Sequence, residues 1–125
     1  MQKRPYACRG RRFRTRTVTV AEAVIAEDTR VVAVVLAHEL QHTLDRKRSA
    51  LGLLDLDCVA LEVRGFEAQA ITTRLFWPDD LPNATSLERH IALVVRDYER
   101  DGTAAIAARL AGDAIYRETC AAGPA

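Results

Sequence analysis

The chain has 125 residues, of which 49% are hydrophobic and 28% are charged, and its formal net charge is +1. This length suits one domain with a single core, and the near-neutral charge excludes a protein whose partner is selected by a strong overall electrostatic field. Three irregularly spaced cysteines, no visible secretory signal and no apolar run of membrane-spanning length indicate a cytoplasmic chain with free thiols and no membrane contact.

The N-terminal segment is strongly basic. Residues 1–16 contain seven arginine or lysine side chains and no acidic residue. A solvated terminus is the favoured interpretation of such an arm, and contact with nucleic acid is the alternative. We predict that residues 1–13, and the small-residue tail at 121–125, are loosely ordered.

A β-strand is predicted directly after this arm. Residues 14–20, with the sequence RTRTVTV, alternate with period two and are rich in β-branched side chains. Both properties are typical of a strand. The preceding residues 6–13 offer a partner strand, with Gly10 in the turn of a hairpin.

Two helices are predicted next. Asp28 or Thr29 can cap the first helix, which runs to about Asp45, where basic residues and a glycine follow. Asp57 can cap the second helix, over roughly residues 58–76, and a proline stops it.

Two further helices complete the predicted elements. Thr85, with Glu88 three residues later, forms a capping-box pattern for a helix that runs to about Arg100. Thr103 can cap a fourth helix with the sequence AAIAARLAGDAIYRE. Together with the strand or hairpin at the start, these elements predict a single α+β domain over residues 1–125, mostly helical and with a small N-terminal sheet.

The first predicted helix carries the sequence HELQH at residues 38–42, which is the pattern H-E-x-x-H. At about 100° per residue, side chains four positions apart lie on one helix face, so His38 and His42 can bind the same zinc ion. Glu39 lies beside them and can reach a water on the open position of the metal, where a general base belongs. Without a metal, each buried imidazole would need its own polar partner. The motif therefore predicts one zinc ion per chain.

A catalytic zinc site of this kind needs a third protein ligand. The metzincin pattern is excluded, because it expects a glycine at position 45 and a ligand at position 48, where this chain has Asp45 and Arg48. The remaining candidates are Glu62 and Glu67 on the second predicted helix, which point about 140° apart, so only one can face the metal. The helix face that holds Glu67 carries mostly small and apolar side chains, which would let it pack close to the first helix. The face that holds Glu62 is mixed but would also be partly buried, so the residues favour Glu67 as the ligand only modestly.

A family resemblance adds to this preference. The segment VVLAHELQHTLD, followed some two dozen residues later by FEAQA, resembles the gluzincin branch of the zincin metallopeptidases, and the small size is similar to the single-domain minigluzincins. The resemblance covers about residues 14–76. It implies that His38, His42 and Glu67 bind zinc and that Glu39 is the general base.

This chain departs from the gluzincin pattern at one position. Ala70 fits the expected E-x-x-A spacing after Glu67, but Ile71 stands where some gluzincins carry an acid that supports the first histidine. Support must then come from elsewhere, since ligating imidazoles usually donate their other N–H to an acceptor. Asp45 is a candidate, although an exposed acid near the end of the helix is the favoured interpretation.

The predicted function is that of a zinc-dependent metallopeptidase acting on a peptide or protein substrate. Zinc activates a water, Glu39 accepts its proton, and the hydroxide attacks a peptide carbonyl that the metal polarises. One alternative is a zinc-binding regulatory or scaffold protein with little hydrolytic activity. The other is a nucleic-acid-associated protein that uses the basic arm, with zinc in a structural role.

Three side chains are weaker candidates for a group that stabilises the transition state. His90, Tyr98 and Tyr116 lie on the third and fourth predicted helices, and a surface or core role is favoured for each because no spacing ties them to the motif. Cys8 could provide a thiolate to the zinc, although a free thiol without a role is favoured.

Overall fold

The fold consists of helices and connecting loops over residues 20–121, the part of the chain that this computed structural model describes. Its elements are α1 (Glu22–Ile25), α2 (Thr29–Ala50), α3 (Cys58–Phe76), α4 (Ser86–Asp101), α5 (Thr103–Gly112) and α6 (Ala114–Ala121). Within this range no helix combines the length and the apolar character that crossing a membrane requires.

The prediction of an α+β domain is wrong, because residues 20–121 contain helices and loops but no strand. That prediction rested on one alternating segment, and a strand needs a neighbour to satisfy its backbone hydrogen bonds. In residues 20–121 the regular backbone hydrogen bonds are formed within helices and not between strands. The predicted strand at 14–20, apart from Val20, lies outside the described residues, as do the arm at 1–13 and residues 122–125.

The starts of the three long helices are confirmed by their caps. Asp28 accepts a hydrogen bond from the backbone N–H of Arg30 at the start of α2, and Asp57 accepts one from Ala60 at the start of α3. At the start of α4, Thr85 forms the complete capping box predicted from the sequence. Each cap satisfies N–H groups that have no partner inside the helix.

Two helix ends differ from the prediction. Helix α2 continues five residues past Asp45 and stops before Gly52, whose φ of 75° places it in the left-handed region that glycine adopts without strain. The predicted fourth helix is divided into α5 and α6, because Asp113 has extended backbone angles. Its carboxylate accepts a hydrogen bond from the N–H of Ile115 and so starts α6.

An antiparallel hairpin of α2 and α3 forms one side of the molecule, and α4 and α5 pack against α3. The main core lies between α3, α4 and α5 and consists of Phe66, Ala70, Val94, Val95, Ile106 and Leu110. A smaller cluster joins α2 to α4 through Val31, Val34 and Ile91. These two clusters hold α3 against α4 and α5, and α2 against α4.

The prediction of free thiols is wrong for two of the three cysteines. Cys58, the first residue of α3, forms a disulfide with Cys120 in α6, and their Cα atoms are 5.4 Å apart. The two residues are 62 positions apart in the sequence. Spacing alone could not reveal this pair, because it depends on how α6 folds back onto α3. Cys8 lies outside the described residues.

Candidate metal centre

The two histidines of the motif lie on the buried face of α2. His38 is 8% exposed and His42 is 3% exposed. Their ring centroids are 4.7 Å apart and the rings are nearly perpendicular. This arrangement follows from the four-residue spacing, which places the two imidazoles one above the other on the helix.

Glu62 of α3 lies against both imidazoles. Its carboxylate oxygen Oε1 is 2.8 Å from His42 Nε2, and Oε2 is 3.5 Å from His38 Nε2. The Glu62 side chain is itself buried, with 6% of the residue exposed. One ligand atom from each of these three residues lies within 4.8 Å of the others, which makes them a group able to hold a metal ion.

The histidines determine the charge state of Glu62. Burial raises the pKa of this carboxyl, but hydrogen bonds to and electrostatic interactions with His38 and His42 outweigh burial and lower the pKa to about 2. Glu62 is therefore an anionic oxygen donor at neutral pH, which is the form that binds a metal ion.

Gly65 permits α3 to approach α2 at this point. A Cβ atom at position 65 would lie 2.8 Å from Nε2 of His38 and 3.0 Å from two carbon atoms of the same ring. Real Cβ atoms do not come this close, so any larger residue would have to displace the imidazole. The next residue, Phe66, packs its ring edge-on against His38 with a centroid distance of 4.5 Å. Together these two residues fix the position of the imidazole.

The donor set fits zinc. Two imidazole nitrogens and one carboxylate oxygen are the ligands of the two-histidine, one-glutamate zinc sites of hydrolytic enzymes. Three such donors around one tetrahedral ion, each about 2.0–2.2 Å from it, would lie roughly 3.4 Å from one another. Of the observed separations, the 3.5 Å between Glu62 Oε2 and His38 Nε2 is close to that value, whereas the 2.8 Å between Oε1 and His42 Nε2 is that of a direct hydrogen bond, which would lengthen when an ion binds.

Glu67, the third ligand favoured by the sequence, is placed elsewhere. Its carboxylate accepts a hydrogen bond from the hydroxyl group of Tyr98 at 3.1 Å, toward α4. Because α3 meets α2 through the face that holds Glu62 and Gly65, the Glu67 face is turned away from the histidines. The helix is thus rotated relative to the sequence assignment. The glycine in the middle of a predicted helix was the signal for the contacting face, since an interior glycine often marks a close approach.

Asp45 is buried, contrary to the interpretation of an exposed helix-end acid. It is 0% exposed and accepts hydrogen bonds from Nε of Arg64 at 2.8 Å and from Nε2 of Gln41 at 3.0 Å. A buried carboxylate needs such partners to offset the loss of its hydration. The Asp45–Arg64 pair joins α2 to α3 about one turn beyond His42.

The remaining candidate residues lie at different distances from His38, His42 and Glu62. Glu39 is half-buried on the flank of α2 beside His38. His90 of α4 and Tyr116 of α6 both pack against Phe66, with centroid distances of 5.9 and 5.8 Å. They therefore lie one ring away from His38, whereas Tyr98 is engaged by Glu67 on another face of α3.

No protein-family model, curated protein or solved structure matches the chain in comparisons with known proteins. The resemblance to gluzincins therefore depends on the H-E-x-x-H motif and a glutamate of the following helix. In the structure Glu62, and not Glu67, lies beside the two histidines of the motif.

Proposed function

We propose that the chain is a zinc-dependent hydrolase that cleaves peptide bonds, with one zinc ion held by His38, His42 and Glu62. The observation that carries the proposal is the convergence of both motif imidazoles and a buried, anionic carboxylate from the next helix on one point. A cluster of this composition leaves one tetrahedral position without a protein ligand, which is the arrangement of catalytic zinc sites.

The chain's own residues have separate roles in this reaction. A bound zinc ion would make a coordinated water acidic and polarise the carbonyl of the substrate. Glu39 follows His38 directly in α2 and, as a half-buried carboxylate, is the group available to accept the proton of that water. Phe66 and the apolar residues around it exclude bulk water from one side of the site. Peptides or proteins are the proposed substrates, and the cytoplasm is the proposed location.

A second candidate function is zinc binding without efficient hydrolysis, in a regulatory or scaffold protein. The burial of all three proposed ligands, none more than 8% exposed, favours it. A substrate carbonyl must reach the metal in an enzyme, whereas a structural ion needs no access. The two candidates make the same prediction for zinc content and opposite predictions for turnover.

The experiment that separates them replaces Glu39 with glutamine. Glutamine retains the shape of the side chain but cannot accept a proton, so Glu39→Gln should bind zinc normally and hydrolyse a peptide library about 10²-fold more slowly or worse. Glu22→Gln in the exposed helix α1 is the matched control and should retain wild-type activity. If the zinc-loaded wild type cleaves nothing, the scaffold function replaces the enzyme.

A further inference from the structure

Helix α6 buries little apolar surface through the side chains that the structure describes. Its side chains that the structure describes are exposed or half-buried, and Ile115 is 70% exposed. Apolar burial is the main force that fixes a short helix on a domain, so α6 has little of it. The Cys58–Cys120 disulfide therefore provides a large part of what keeps this helix in place.

The disulfide ends on the helix that carries the candidate metal ligand. Cys58 is buried and lies four residues before Glu62, so the two side chains occupy the same face of α3 on successive turns. The covalent tie thus joins α6 to the buried face of α3, one helical turn from the three-residue group.

A series of ring contacts connects α6 to a histidine of that group. The ring of Tyr116 in α6 packs against Phe66 with a centroid distance of 5.8 Å, and Phe66 packs against His38 at 4.5 Å. Phe66 is buried where Tyr116 covers it. If α6 moved away, Phe66 would lose its contact with Tyr116, and the ring that packs against His38 would be less constrained.

We propose that the Cys58–Cys120 disulfide is a redox-controlled clamp, which holds α6 over Phe66 when oxidised and opens the His38–His42–Glu62 site when reduced. The inference rests on the proposed metal-binding function, whose access it regulates. In the reduction, one thiolate of a protein or small-molecule dithiol attacks a sulfur of the disulfide. The second thiol then closes a new disulfide in the reductant, and the displaced sulfurs of Cys58 and Cys120 take up two protons.

The clamp requires a compartment such as the cytoplasm, in which the disulfide can be reduced. Disulfides in that compartment are usually transient and serve catalysis or redox sensing, because thiol reductants keep cysteines reduced. This bond joins two cysteines that are 62 residues apart, and α6 buries little apolar surface of its own. Breaking the bond would therefore release α6.

The test compares wild type with Cys120→Ser, which removes the bond without adding a reductant that binds zinc. Zinc-loaded proteins are mixed with the chelator 4-(2-pyridylazo)resorcinol, and the rate of zinc transfer is measured. We expect Cys120→Ser to release zinc roughly tenfold faster than oxidised wild type, which corresponds to about 1.4 kcal/mol of local opening. Ala114→Ser, at an exposed position of α6, keeps the disulfide and is the control, so it should release zinc at the wild-type rate.

Hydrogen exchange of the zinc-free proteins provides a readout that does not depend on the metal. Backbone amides of α6 should exchange faster in Cys120→Ser, and in wild type treated with a phosphine reductant, while those of α3 and α4 remain protected. Equal zinc release and equal α6 exchange in all forms would overturn the clamp. So would alkylation of Cys58 and Cys120 in the native, unreduced protein. If no form binds zinc, the proposed function fails, and the exchange of α6 still decides whether the disulfide holds the helix.

Discussion

The position of Glu62 on α3 decides which carboxylate lies against the two histidines, so a single residue determines the composition of this site. Both imidazoles lie against it, while Glu67, five residues later, is hydrogen-bonded to Tyr98. Five positions on a helix rotate a side chain by about 140° beyond a full turn, so one glutamate can face the histidines only if the other does not.

The two glutamates therefore predict opposite results on substitution. Glu62→Ala should lose zinc affinity by several orders of magnitude, because it removes an anionic ligand and leaves two imidazoles. Glu67→Ala removes the acceptor of the Tyr98 hydroxyl and should retain nearly all affinity. Zinc titration against a competing chelator measures both variants. A larger loss in Glu67→Ala would show that Glu67 is the ligand after all.

The charge of Glu62 also predicts a pH dependence of stability in the zinc-free protein. Its folded-state pKa of about 2 lies below the ordinary value of 4.5. Such a group stabilises the fold fully above the ordinary pKa and loses this contribution as the pH falls toward the folded-state pKa. The difference in free energy of unfolding between wild type and Glu62→Gln should accordingly grow from pH 2 to about 4.5 and then level off. Urea unfolding at a series of pH values measures it, and a constant difference across this range would contradict the prediction.

The contact between α2 and α3 is the element that brings the site together. Short-range patterns in the sequence predict both helices, and Asp28 and Asp57 cap them as expected. Their mutual rotation depends on Gly65, where the missing side chain leaves room for His38, and on the ion pair between the buried Asp45 and the partly exposed Arg64. One close helix–helix contact and one ion pair therefore fix the orientation of the two helices.

Gly65→Ala should disturb this contact and the site with it. The added methyl group would overlap the ring of His38, so we expect a destabilisation of about 1–3 kcal/mol and weaker zinc binding. Gly112→Ala is the matched control, because a Cβ there meets no atom within 4 Å and the backbone angle is ordinary. That variant should be neutral or slightly stabilising. Denaturant unfolding and zinc titration test the pair, and equal behaviour of both variants would contradict the close approach.

On the scale of the whole molecule, the disulfide closes a loop that spans α3, α4, α5 and α6. Cys58 and Cys120 are 62 residues apart, and a crosslink over such a loop restricts the unfolded chain considerably.

Cys120→Ser should therefore lower the free energy of unfolding by about 4 kcal/mol, if the entropy of loop closure dominates. The urea midpoint of the variant, compared with oxidised wild type, measures the effect, and Ala114→Ser again provides the control. A midpoint equal to that of wild type would show that the two cysteines are not bonded in solution.

The sequence by itself determined the features that depend on neighbours a few positions apart. The caps at Asp28, Asp57 and Thr85, and the pairing of His38 with His42, follow from spacings of two to four residues. Each of these is settled within one or two turns of a single helix, where the geometry is the same in every protein.

Only the tertiary structure decided the features that depend on how distant segments meet. The choice of Glu62 over Glu67, the burial of Asp45 and the Cys58–Cys120 bond all require the rotation of α3 against α2 or the return of α6 to α3. Rotating α3 by little more than a third of a turn would exchange the two glutamates without changing any local signal. The energy that fixes this rotation comes from packing and buried pairs between helices, which no spacing along one helix contains.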